Sequence, residues 1–520
     1  MKNADAYAGN FARHRPATNV FSLQQPSSGD GCKRFKSPFR PAIVAGTAFI
    51  AACGGGGSDP EIAPFVPEET RAQDSRKDFA VSAADAVATI FAFMSVQASD
   101  AIDVTTTSRR VGVLGVSGYR VEVPANWNGK LVMYAHGFAG IGNVLSVQNP
   151  SIRRYLIQNG YAWAASSYSK NYYDVQAGIE DTNALANEFT KIAAKNGRVL
   201  AAPIKTYITG VSMGGHISAA AIEEETAITA NNKVKYAGAV PMCAVAGDTE
   251  LFDTLAAIQV AAQTVAGFAS NPTDKWLDIE PQVKAALFTT FPSAPNGVKG
   301  AQFASILQNL TGGPRPLFAQ GLAFGGSFPS AYGTFGSDGT VTGILNKNIL
   351  DTNRFTYTID GDVAASAAIN TSAQKLTAAP DANRLRRDGL RWIPKVNGEF
   401  KVPVVSIHTL GDLFVPFSMQ QVYQKRTVAK GNSTWLVQRA IRGASHCDFT
   451  VAESETAFDD MIKWERDGVK PLGDDVVTAS AVAASSYGCK FTKNNLGPDD
   501  APFVRQLRAG IAQTTQPCAP

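Results

Sequence analysis

The chain is poor in histidine, poor in charge and without a long apolar run. Five histidines occur among 520 residues, and charged side chains make up 18%. No C-x-x-C pair and no Cys/His cluster has zinc-ligand spacing, so no metal site is expected. No G-x-x-x-x-G-K-[ST] loop occurs, and no G-x-G-x-x-G lies between a strand and a helix, which sets nucleotide binding aside. No cofactor is expected. No self-similarity at a period of 20–50 residues occurs, which excludes solenoids and propellers. No apolar stretch reaches the roughly 20 residues that span a bilayer as a helix. The net charge of +4 belongs to the first 52 residues, which hold seven Lys/Arg and two Asp/Glu. The rest is close to neutral, and nothing in it favours nucleic acid or an obligate protein partner.

What is present begins with that basic leader. Lys33, Arg34, Lys36 and Arg40 precede an uncharged apolar run, residues 41–52, of signal-peptide length. It ends in Ile50-Ala51-Ala52-Cys53-Gly54, which resembles a bacterial lipobox. The resemblance implies cleavage before Cys53, lipidation of its thiol and a membrane anchor, with the outer membrane favoured by Gly54. The chain is therefore read as exported. With Cys53 lipidated and Cys32 removed with the leader, four of the six cysteines remain, Cys243, Cys447, Cys489 and Cys518, and read as two disulfides with three possible pairings.

Residues 53–78 are rich in Gly, Pro and acidic side chains and read as a tether, and residues 80–97 as a helix. Strands are predicted within 109–123 and at 130–135, 161–165, 206–211, 236–240, 402–409 and 434–441. Helical periodicity covers 179–194, 213–225 and 450–464. Alternating strands and helices predict an α/β class with a mostly parallel sheet covered on both faces. The interval 244–400 breaks this rhythm. It opens with a helical run at 249–266 and is too long to be a structureless loop. It is expected to be a mainly helical cap inserted after the sixth strand. The core is thus split into 79–243 and 401–472, and residues 473–520 form a tail stapled through Cys489 and Cys518.

Chemistry concentrates at Gly210-Val211-Ser212-Met213-Gly214, which a predicted strand enters and a predicted helix leaves. A tight turn there lifts the Ser212 hydroxyl above the sheet edge. Gly210 and Gly214 leave space that a Cβ would fill, and the helix N-terminus aims N–H groups at developing negative charge. Met213 N–H is one expected oxyanion donor. The segment His136-Gly137-Phe138 follows the third strand, and the Phe138 N–H is the expected second donor. His136 need not move protons. The general base falls to His446, in a loop between the last strand and the last helix. Of its rivals, His216 lies in the helix after Ser212, where it meets packing or solvent, and His408 lies inside an apolar strand. Asp412 follows a strand through Gly411 and is the expected acid, ahead of Asp448, Asp360 and Asp362. Ser167-Tyr168-Ser169-Lys170 matches S-x-x-K but lacks a K-T-G partner and follows a strand, so it is read as chance.

The order Ser212, Asp412, His446, with His136-Gly137 upstream, resembles the α/β-hydrolase superfamily. The segment from His446-Cys447-Asp448-Phe449-Thr450 to Trp464 and Gly468 is similar to bacterial secreted esterases and lipases with large caps, some of them polyester hydrolases. That resemblance implies an α/β-hydrolase fold over about 109–468 and a serine hydrolase acting on carboxylic esters, including oligomeric or polymeric ones. Phe252, Phe288, Phe291, Phe303, Phe318, Phe324, Phe328, Tyr332 and Phe335 supply aromatics for an acyl pocket or for the cap's own core. A peptidase and a carbon–carbon hydrolase acting on β-diketones use the same triad. A non-catalytic surface binding lipoprotein is the reading from a different class.

Overall fold

The computed structural model describes residues 107–140, 145–171, 173–333, 350–378, 393–515 and 518. The leader, the Cys53 site, the tether and the helix expected at 80–97 lie outside the described residues.

Eight strands form one sheet. They are β1 (Thr107–Leu114), β2 (Ser117–Pro124), β3 (Lys130–Ala135), β4 (Ala162–Ser166), β5 (Lys205–Val211), β6 (Ala239–Met242), β9 (Val404–Thr409) and β10 (Leu436–Ile441). A separate hairpin, β7 (Phe288–Thr290) with β8 (Ala294–Pro295), lies between β6 and β9 in sequence. The sheet order is β1-β2-β4-β3-β5-β6-β9-β10. β1 and β2 form an antiparallel hairpin that turns at Gly115 with φ 63°, and β2 also runs antiparallel to β4. Every other pairing is parallel.

The inner strands are buried along almost their whole length because both faces are covered. Alternation along β3 shows how. Leu131 and Met133 face a core shared with Ile179, Leu185 and Phe189 of the helix Val175–Lys195. Val132 and Tyr134 face the opposite core, with Leu156 of Arg153–Gln158 and Phe458, Met461 and Trp464 of Val451–Asp467. Asp174 caps the first of these helices by accepting from Ala177 N. A reciprocal Thr450/Glu453 capping box starts the last, and Gly468 ends it at φ 72°.

Two boundaries differ from the sequence expectation. The strand expected at 236–240 is Ala239–Met242, since pairing with β5 and β9 decides its register. The helix expected across 213–225 stops at Ala220 and resumes at Glu224. Glu223, at the break, is buried and accepts from the amides of Gly398 and Glu399, a long-range tie that overrides local helix propensity.

Between β6 and β9 the described chain is mainly helical, from Thr249–Ala266 through Trp276–Leu287, Gly297–Leu310, Phe318–Ala323 and Ser327–Gly333 to Val363–Ser372. Its aromatics mostly pack on one another. Trp276 meets Tyr332 edge-on at 5.2 Å, and Phe288 meets Phe291 at 5.1 Å. Phe252, Phe303 and Phe328 are fully buried, Phe318 is buried, and Phe324 is exposed. Phe335 lies outside the described residues. After β10 the chain continues through Ala479–Val482 and Pro502–Thr514, whose Val482, Leu507 and Ile511 share a third core with Leu410, Ala440 and Ala444.

Candidate active site

β5 delivers Ser212 to the sheet's C-terminal edge, and the helix Met213–Ala220 departs at once. Ser212 adopts φ 57° and ψ −119°, a left-handed region that is costly for a residue with a Cβ. The turn persists because its surroundings fix it. Ser212 N donates to Met242 O at 3.0 Å, and His216 N donates to Ser212 O at 3.0 Å. A Cβ on Gly210 would collide with Gly214 O, and one on Gly214 with Ala135 O. The backbone crossing that exposes Ser212 therefore requires glycine at both positions.

Two distant segments meet this serine. His446, from the loop after β10, places Nε2 at 2.8 Å from Ser212 Oγ. Its Nδ1 lies 2.5 Å from Asp412 Oδ2. Asp412 follows β9, is fully buried, and accepts with Oδ1 from the amides of Phe414 and Val415 at 2.9 and 3.0 Å. The Phe414 ring stands edge-on to the imidazole at 5.5 Å. The structure thus brings Ser212, His446 and Asp412 into one hydrogen-bonded series.

The His136-Gly137-Phe138 loop flanks Ser212. A Cβ on Gly137 would stand 3.4 Å from Ser212 Cβ. Met213 is buried as the first residue of its helix, and Phe138 is partly buried against the core, so the two amides assigned to an oxyanion lie on the segments bordering the hydroxyl. His136 is buried, donates from Nδ1 to Gly137 O at 2.7 Å and stacks on Tyr168 at 4.0 Å. Burial depresses its pKa, and its place in the loop is structural.

Among the described residues, the other two histidines are tied elsewhere. His216 is buried between the Tyr173 hydroxyl at 2.9 Å and Pro394 O at 2.8 Å. His408 donates from Nε2 to Val415 O at 2.7 Å, and burial also lowers its pKa. Asp360 accepts from Ser305 and Asn309, and Asp362 caps the helix Val363–Ser372. In the S-x-x-K stretch Lys170 pairs with Asp174 at 2.5 Å, while Ser167 Oγ donates to Tyr168 O. Serine and lysine there do not act on one another.

The cysteines pair as Cys243–Cys447 and Cys489–Cys518. Sγ atoms of Cys243 and Cys447 lie near His446, but both are spent in a disulfide and neither is a thiolate ligand. A cleft of 830 Å³ lies at the opposite end of the parallel strands, bordered by Lys205, Lys235, Trp435 and Trp464, and does not include Ser212.

Sequence reasoning passed over several residues that build this site. Asp448, considered only as a rival acid, is buried and accepts from the amides of Ala444 and Ser445, shaping the loop that carries His446. Behind it Arg508 and Glu453 form a buried pair through two contacts, 2.8 and 3.0 Å, and Arg508 also donates to Asp448 O. The only local signal for this arrangement was the Thr450-x-x-Glu453 capping pattern.

No family model matches the chain. An o-phthalyl amidase from Xanthobacter agilis is 23% identical over 396 residues, covering 67% of this chain and 84% of that protein. Solved structures that resemble it include feruloyl esterase B from Aspergillus oryzae, at 15% identity and a TM-score of 0.38, covering 70% of this chain and 81% of that one. Candida antarctica lipase A aligns at 16% identity and a TM-score of 0.36, covering 80% and 89%. Sheet order, helices on both faces and the strand–turn–helix at Ser212 give this chain the α/β-hydrolase fold.

Proposed function

We propose that the chain is a serine hydrolase that cleaves carboxylic esters through an acyl-enzyme. The observation that carries this reading is the continuous series Ser212–His446–Asp412 at 2.8 and 2.5 Å. His446 Nε2 takes the Ser212 proton as Oγ attacks the ester carbonyl. Asp412 holds the imidazole in the tautomer with hydrogen on Nδ1 and stabilises the imidazolium that forms. The N–H groups of Phe138 and Met213 receive the oxyanion, the alcohol leaves with the proton from His446, and water then releases the acid.

Export and lipidation at Cys53 belong to the same proposal, supported by the pattern of residues 33–54. An enzyme so placed meets oligomeric esters and polyester fragments outside the cell, and these are the proposed substrates. Cleavage of an amide by the same residues is the second reading, supported by the relative named as an o-phthalyl amidase. The test is a panel of p-nitrophenyl esters of increasing acyl length, polyester emulsions and o-phthalyl amides, run on the wild type and Ser212→Ala. Turnover is expected on esters and to fall by roughly 10⁶-fold in the variant. Ester turnover that survives in Ser212→Ala overturns the proposal. Turnover of amides in preference to esters moves it to the second reading.

A further inference from the structure

Arg315 lies in the segment between β6 and β9, between the helices Gly297–Leu310 and Phe318–Ala323, far in sequence from Ser212, Asp412 and His446. It is buried at 7% exposure, where an arginine is normally paired with a carboxylate. Here its three hydrogen bonds go to uncharged oxygens: Nε to Leu410 O at 2.8 Å, Nη1 to Gly313 O at 3.0 Å and Nη2 to Thr311 Oγ1 at 3.3 Å. Among the described residues no carboxylate lies within ion-pair distance of it. A cation left in that condition is costly unless a negative charge lies close by. Leu410, whose carbonyl it holds, stands two residues before Asp412.

The same segment grips the acid loop at two further points. Gly321 packs so tightly on Gly411 that a Cβ there would strike its carbonyl. Ser327 Oγ accepts from Leu413 N at 3.0 Å. Residues on both sides of Asp412 are thereby fixed from one short stretch of chain, residues 315–327.

We infer that Arg315 is a positioning residue for the acid, holding the Asp412 loop in register with His446 through Leu410 O and placing a positive charge near the fully buried carboxylate. The inference rests on the triad proposed above. The charged and titratable groups facing Asp412 are His446 at 2.5 Å, His408 at 3.7 Å and, through space, Arg315. His408 is held neutral by burial, which leaves Arg315 as the permanent cation. Burial pulls the Arg315 pKa down to about 9, and the charge of Asp412 acts to hold it up. Even so, the guanidinium stays protonated across the neutral range. A fixed positive charge at this place opposes the arrival of a further proton nearby. Removing the charge is therefore expected to move the acid limb of the rate profile to higher pH.

The experiment compares pH profiles of kcat/KM for the wild type, Arg315→Gln, Arg315→Met and Arg315→Lys on one p-nitrophenyl ester. Labelling of Ser212 by a fluorophosphonate counts the folded sites. Arg315→Gln keeps a donor for Leu410 O and removes the charge. Its acid limb is expected to move up by about half a pH unit to one unit, with KM changed less than twofold. Arg315→Lys is expected to restore the wild-type limb. Arg315→Met, which loses donor and charge together, is expected to show the same shift with fewer labelled sites. A limb that stays in place in Arg315→Gln, with a rate lowered equally at every pH and no rescue by lysine, overturns the inference and leaves only a packing role. A wild type that is not labelled at Ser212, or whose turnover survives Ser212→Ala, brings down the catalytic proposal instead. The two failures are therefore told apart.

Discussion

Cys447 Sγ lies 3.3 Å from His446 Nε2, the nitrogen that also faces Ser212 Oγ. Its disulfide partner Cys243 directly follows Met242, whose carbonyl accepts from Ser212 N. One covalent bond thus joins the residue after His446 to the strand end that holds the Ser212 backbone. Cys243 and Cys447 both have positive φ, 41° and 60°, so the bridge ties together two backbone positions of unusual conformation.

Removing this bridge is expected to harm the site more than removing Cys489–Cys518. The double variant Cys243→Ala/Cys447→Ala should lose about 2–5 kcal/mol in urea unfolding and roughly tenfold or more in kcat. Cys489→Ala/Cys518→Ala should lose stability with kcat largely kept. Equal kcat in the two double variants would show that the bridge does not position His446.

Gly214→Ala puts a Cβ against Ala135 O where backbone meets backbone and no flexible side chain can yield. The expected cost exceeds about 3 kcal/mol in chemical denaturation, with loss of fluorophosphonate labelling in the fraction that folds. Labelling at the wild-type rate would mean that the crossing of β3 and the Ser212 turn is looser than its contacts show.

Asp448 gives the protein a pH-dependent stability of definite sign. Burial raises its pKa to about 7, against the opposing pull of Arg508 and of the Ser445 and Ala444 amides. The unfolded value is about 3.9. Between about pH 4 and 7 the native state therefore holds a proton that the unfolded chain has released, and this group's contribution to stability declines as pH rises through that window. Asp448→Asn lacks the titration. It should be less stable than wild type near pH 4.5, because its amide nitrogen cannot accept from the second backbone N–H, whereas the protonated carboxyl keeps a lone pair on both oxygens. The deficit should shrink by about 3 kcal/mol by pH 7.5. A deficit that grows with pH, in urea titrations across this range, would reverse the assignment.

The nucleophile turn was legible because its determinants are local. Gly210, Ser212 and Gly214 sit within five residues, and the apolar strand before them has a period that needs no partner to be recognised. The loops of Asp412 and His446 were legible through order, each following an apolar run of strand length. Arg315 and Asp448 were not, since what defines them is a carbonyl or an amide brought near by tertiary packing. The early end of the helix after Ser212 is of the same kind. Glu223 is a good helix former, and only Gly398 and Glu399, some 175 residues on, draw it out of the helix. The aromatics between β6 and β9 were legible as a group that could form its own core, while which rings meet was not.

The parallel pairing of β6 with β9 has a kinetic consequence. Ser212 and the His136-Gly137-Phe138 loop come from the first half of the core, whereas Asp412 and His446 come from the second. The halves join where Ala239 meets Val404 and Met242 meets Ile407, a contact that closes a loop of about 160 residues. Such closure is slow relative to local structure, because chain entropy is lost before the contact returns any energy. His446 is thus brought to Ser212 only once the two halves have joined, and until then the Ser212 hydroxyl stands without the imidazole that faces it in the folded chain.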